Sequence, residues 1–196
     1  MIRRIPVVAT IIVLLAAATM VGLGIWQIGR AHEKEALLAQ YRAAMAKPAI
    51  AFPTAPFEGE LPLFRKAHGM CLKPVVQRQM AGRNHAGDPG YVFVVGCSTG
   101  AEGPGMAVEI GWSQNPNAKF QFTGGEVSGR IVPDSRNRMR LVSDTPAPGL
   151  QASEPPSIED IPNNHRSYAV QWFLFAAIAL VIYGLALRKR LAEQPK

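Results

Sequence analysis

Cysteine and histidine are scarce, with two cysteines and four histidines in 196 residues. Cys71 and Cys97 have neither a CxxC partner nor a histidine pair nearby, so the sequence does not support a structural metal site of the usual ligand spacing. No phosphate loop is present. Gly124-Gly125 and the glycine-rich stretch 100–105 lack the Lys-Ser/Thr and helix that such a loop needs, and read as turns. A nucleophile–base signature, a paired-carboxylate motif and an internal repeat are missing too. A hydrolase or transferase is therefore disfavoured, and the chain is expected not to be an enzyme. Acidic residues number 14 against 21 basic ones, a formal net charge of +7. Most of that excess lies at the two ends, and residues 27–167 are close to balanced, so no nucleic-acid surface is expected.

What the sequence does have is apolar length. Hydrophobic residues make up 48% of the chain, an average that would suit a soluble protein but hides two concentrated runs. Residues 5–26 and 168–187 carry no charge. Each has the roughly 20 residues that a helix needs to cross a hydrocarbon core. The first run also resembles a signal peptide, because Arg3-Arg4 precede an alanine-rich stretch. It is longer than a signal core and leads into Trp26 at the expected interface, so it is read as a retained anchor. Arg3 and Arg4 precede the first span, and Arg188, Lys189 and Arg190 follow the second, in the tail 188–196. Both termini are thus expected on the cytoplasmic side, in contact with lipid head groups. The fold class expected is a membrane protein with two transmembrane α-helices flanking a periplasmic, antiparallel β-rich domain.

Between the spans, residues 27–47 continue the first helix, with Leu37, Leu38, Tyr41 and Met45 at helical spacing and Pro48 ending it. Trp26 and Arg30 lie one turn apart, in reach of a cation–π pair. Residues 48–167 read as the β-rich domain, with strands expected at 69–80, 90–97, 106–112 and 125–132 and a short one at 140–142. A small barrel or sandwich follows from that pattern, its closure left open. A hairpin turning near Asn84 places Cys71 opposite Cys97, and in an oxidising compartment they form a disulfide; the alternative is two buried thiols. Pro74 inside the first strand argues for a sheet edge.

The richest stretch chemically is Ile161-Pro162-Asn163-Asn164-His165-Arg166-Ser167-Tyr168. Proline and two asparagines start a helix near His165, which puts His165, Tyr168 and Trp172 on one face. Free N–H groups, a positive helix end and Arg166 suit a carboxylate and favour a neutral imidazole. An axial histidine, aromatic walls and cations are what a porphyrin requires. The same residues are also ordinary interface and snorkelling residues, and both readings stay open on local spacing alone. Trp26, Gln27 and Arg30 end the first span in the layer where His165 begins the second. His32, His68 and His85 are expected to be exposed.

These residues resemble the Surfeit-locus family of cytochrome c oxidase assembly proteins. The resemblance rests on Gly24-Ile25-Trp26-Gln27-Ile28-Gly29-Arg30 and on Pro162-Asn163-Asn164-His165-Arg166-Ser167-Tyr168-Ala169-Val170-Gln171-Trp172-Phe173. Pro89-Gly90-Tyr91-Val92 and Gly111-Trp112 lie between them in the family's order. It implies a cell inner-membrane biogenesis factor that binds haem a and assists its insertion into the oxidase catalytic subunit, with the haem a synthesis machinery as a further partner. His165 falls at the histidine that the family implicates in holding haem, as ligand to its iron. Arg166 and Arg30 would then meet the propionates, and Trp26, Tyr168 and Trp172 would wall the ring. Two departures from the family pattern concern the middle domain: Ile110 stands where an arginine is usual before Gly111, and Val95-Gly96-Cys97 replaces a segment that tends to hold proline. The alternative is a haem-independent scaffold that docks on an oxidase intermediate through the outer domain and small-residue helix faces.

Overall fold

The computed structural model describes residues 6–54, 59–100 and 105–193. The expectations placed on Arg3, Arg4, Ile5 and residues 194–196 lie outside the described residues. Two compact units divide the chain, Met1–Leu37 with Pro162–Lys196, and Leu38–Ile161.

The first unit is helical. Helix α1 (Val7–Met45) and helix α2 (His165–Glu193) each contain a stretch long and apolar enough to cross a membrane. Only 11% and 6% of those stretches is buried within the protein. A core helix of a soluble protein buries most of its apolar surface, so these two face another apolar medium. The protein is a membrane protein with two candidate spanning helices. Pro48 lies three residues beyond the end of α1, and Asn164 immediately precedes α2.

The second unit takes the last turns of α1 and a seven-stranded sheet: β1 (Ile50–Ala51), β2 (Lys66–Cys71), β3 (Lys73–Arg83), β4 (Pro89–Ser98), β5 (Met106–Ser113), β6 (Gly125–Asp134) and β7 (Arg138–Ser143). Tyr41 of α1 stacks on Phe64 with ring centroids 4.8 Å apart. Strand order is β1-β2-β6-β7-β5-β4-β3. The sheet is mixed rather than purely antiparallel, because β1 pairs with β2 and β5 with β7 in parallel. The reason lies in the long connection 114–124. It carries the chain past one strand position, and the β6–β7 hairpin folds back into the gap beside β5.

The stretch read from sequence as one strand at 69–80 is two. The chain bends at Leu72, whose N–H bonds the Ser98 carbonyl at 2.9 Å. Before the bend β2 pairs with β6; after it β3 pairs with β4. One kinked segment therefore serves both ends of the sheet. Cys71 on β2 and Cys97 on β4 are joined by a disulfide with Cα atoms 5.1 Å apart. In a flat sheet these strands, four places apart, would be separated by about 19 Å. The sheet must therefore curl into a barrel-like form. Its inside is filled by Phe93, Met106, Val108, Ile110, Ile131 and Leu141, all buried. β3 is an edge strand, with a register shift between Pro74 and Val76 where proline removes a ladder donor.

The mid-domain motifs meet in this unit. Ile110 is an extra residue in the β4–β5 ladder, and Gly111 beside it has φ +140°, a backbone state that side chains avoid. The bulge turns Trp112 onto Gly90, where an added Cβ would lie 2.5 Å from the indole. The indole Nε1–H donates to the Gly82 carbonyl at 3.3 Å, so the ring cannot simply slide away. Gly90→Ala is expected to destabilise the unit by about 1–3 kcal/mol through overpacking. Chemical denaturation followed by tryptophan fluorescence checks this, and an unchanged midpoint would refute it.

Candidate functional site

Within the helical unit, α1 and α2 run antiparallel. Near one end the Thr10 and Tyr183 hydroxyls lie 2.5 Å apart. Further along, Gly24 meets Phe173 so closely that a Cβ would fall 2.6 Å from the ring. Ala17, Gly24 and Ala31 are the buried residues of α1, and Ala169 and Ala176 those of α2. Both sets recur every seven residues, the spacing that keeps one face of a helix against its neighbour. The seam thus fixes which side of α1 looks at α2.

At the other end of that seam stands His165, the first residue of α2. The Asn164 carbonyl accepts the Tyr168 N–H at 3.1 Å, closing the first turn. Gln27 and Glu35 lie one turn to either side of the buried Ala31, on the face turned to α2. His165 Nδ1 and Gln27 Oε1 are 2.7 Å apart. The amide oxygen accepts from Nδ1–H, and in the neutral ring this leaves the lone pair on Nε2. Arg166 Nη2 donates to Glu35 Oε2 at 3.2 Å and lies 2.9 Å from Oε1, an ion pair between the two helices.

The other expected site residues are placed less tightly. Arg30 forms an ion pair with Glu33 on its own helix. Among the described residues it makes no cation–π pair with Trp26, because the carboxylate one turn on draws the guanidinium. Trp26 and Tyr168 are exposed, presenting rings outward from the unit. Trp172 is half-buried and meets Phe175 edge-on at 6.3 Å. No ring–ring contact joins Trp26 to Tyr168 or Trp172 among the described residues. The side-chain oxygen Oδ1 of Asn163 is buried without a hydrogen-bond partner among the described residues. His32, His68 and His85 are exposed. No group of three or more His, Cys, Asp and Glu capable of holding a metal occurs among the described residues, so His165 stands alone as a candidate ligand.

Glu35 carries no signal of its own in the sequence, and Gln27 has only its place in the Gly24–Arg30 motif. Gln27 falls in the expected layer, but its bond to His165 spans 138 positions. Glu35 looks like one of several charges on a helical extension. The clue to both is the seven-residue repeat of small residues ending at Ala31.

The pattern of the SURF1 family matches residues 14–177, which takes in most of α1, the whole sheet and the first turns of α2. The chain belongs to the SURF1 family. No individually curated protein matches it. SURF1 proteins are cytochrome c oxidase assembly factors, and the membership gives this chain a role in that assembly.

Proposed function

We propose that this SURF1-family protein holds haem a at the outer face of the inner membrane and presents it for insertion into the oxidase catalytic subunit. The observation that carries the reading is the His165–Gln27 hydrogen bond. A bound haem would bring its own iron, and the His165 imidazole would be the protein group that holds it. Gln27 orients the His165 ring and holds the proton on Nδ1, so Nε2 is the ligand atom; support of this kind from a second residue is the norm for metal-binding histidines. The residues fit haem in other ways. His165 needs no protein co-ligands, the exposed Tyr168 and Trp26 offer aromatic surface, and Arg166 offers a cation. A single strong ligand also suits a carrier that must release its load.

The orientation rests on charge and redox chemistry. Arg188, Lys189 and Arg190, at the far end of α2 from His165, favour the cytoplasm, and the Cys71–Cys97 disulfide favours an oxidising periplasm for the β unit. The test is the absorption spectrum of protein purified from a host that makes haem a. His165→Ala should lose the haem signal, and Gln27→Leu should lower affinity about tenfold. Equal haem content in wild type and His165→Ala would overturn the proposal.

A second reading has its own observation. Leu72, Val75 and Val76, at the bend and along edge strand β3, are 60–63% exposed, and Met70 is exposed beside them. Exposed apolar residues grouped in this way mark contact surfaces. A haem-independent scaffold would use them to dock on an oxidase subunit. It predicts that His165→Ala still co-purifies with the oxidase and that Val75→Lys does not.

A further inference from the structure

The ion pair between Arg166 and Glu35 bears on how such a site would load. Arg166 begins α2 and Glu35 belongs to α1, so the pair joins two helices that approach here through the small-residue seam. Nη2 contacts both carboxylate oxygens, at 2.9 and 3.2 Å. The cation one residue from the candidate iron ligand is therefore already engaged by a carboxylate of the chain itself. The pair is accessible, with side chains 71% and 40% exposed, so water screens it and it exchanges readily.

We propose that Glu35 is a built-in competitor for the ligand's acidic groups: its carboxylate holds Arg166 while the site is empty, and a haem propionate displaces it on loading. This rests on the haem reading above and adds a regulated step to it. The exchange is non-covalent. Arg166 gives up one carboxylate and receives another, and Glu35 passes to water as a hydrated anion. A weak, exposed internal partner suits this role, because it keeps the guanidinium placed and costs little to displace. When the haem leaves, Glu35 can re-form the pair and favour release.

The experiment is a titration of full-length, haem-free protein in detergent at neutral pH with hemin and, separately, with hemin dimethyl ester, followed by the Soret absorbance. Glu35→Gln is expected to bind hemin about threefold more tightly than wild type, the size expected from removing an exposed ion pair. With the ester, whose propionates carry no charge, wild type and Glu35→Gln should bind alike. In an Arg166→Gln background, Glu35→Gln should change nothing. Glu193→Gln removes the same charge from the other end of α2 and should leave affinity unchanged. An equal gain with hemin and its ester, or no gain with hemin, overturns the competitor role and leaves the haem reading standing. Hemin uptake that is the same in wild type and His165→Ala overturns both.

Discussion

Asp134→Ala is expected to destabilise the β unit by about 3–5 kcal/mol, the cost of removing one partner from a buried ionic network. Asp134 ends β6, and its side chain is fully buried. Arg78 from β3 donates to Oδ1 at 2.5 Å, and Arg140 from β7 reaches the same oxygen at 3.5 Å. The amides of Arg136 and Asn137 donate to Oδ2 at 3.2 and 2.9 Å, which shapes the β6–β7 turn. Arg140 is shared with Glu109 of β5, its Nε 2.8 Å from Oε2. Two carboxylates and two guanidiniums thus tie four strands. The arginine side chains are only 14% and 16% exposed, so alanine would leave two poorly hydrated cations and two amides short of an acceptor.

The same group gives a pH dependence with a definite sign. Burial alone raises the Asp134 carboxyl. The hydrogen bond from Arg78, the two turn amides and the Arg78 charge together outweigh it, and hold the group below the usual carboxylate value. A folded-state value below the unfolded one means that the stabilisation is complete above about pH 4 and is lost as the pH falls through the folded value. Denaturation midpoints at pH 7 and at pH 3 should therefore differ more for wild type than for Asp134→Ala. Equal differences would show that the network adds no net linkage.

The two membrane helices were legible because an uncharged apolar run of that length has few other uses, and averaging over the chain only disguises it. The strands were legible one at a time, from turn residues and β-rich runs, but their order was not. The parallel β5–β7 pair depends on where a long connection lands, and no residue in 114–124 announces it. The break at Leu72 was hidden for a different reason. Leu72 is neither glycine nor proline, and Pro74 two residues on reads as an edge signal rather than a corner. The helix start at His165 could be seen in Pro162, Asn163 and Asn164. Gln27 was expected in the same layer, but its bond to His165 was not, since pairing residues so far apart needs the buried faces of Ala17, Gly24 and Ala31 to define how the two helices meet. Glu35 was silent because one carboxylate on a charged helix resembles any other.

Cys71→Ser combined with Cys97→Ser is expected to cost about 3–4 kcal/mol, the chain-entropy value for a loop closed across the 26-residue separation. The hairpin expected from the sequence to turn near Asn84 has a different register in the structure. Pro74, not Cys71, lies opposite Cys97, and the β3–β4 turn is centred near Ala86. Cys71 reaches Cys97 because the chain bends at Leu72 and brings the end of β2 back beside β4. The bond therefore does more than clip a hairpin. It joins β2 and β4, each second from an end of the sheet order, at the place where the sheet must close. Both cysteines are almost wholly buried, so a thiol reductant should leave the native protein unchanged and act only on unfolded chains. Refolding in the presence of reductant should then match the double-serine variant in its denaturation midpoint. A reduced midpoint equal to that of the oxidised wild type would mean that the core alone closes the sheet. The expected fall would tie folding of the β unit to the oxidising side of the membrane, the side where His165 begins α2 in the orientation proposed above.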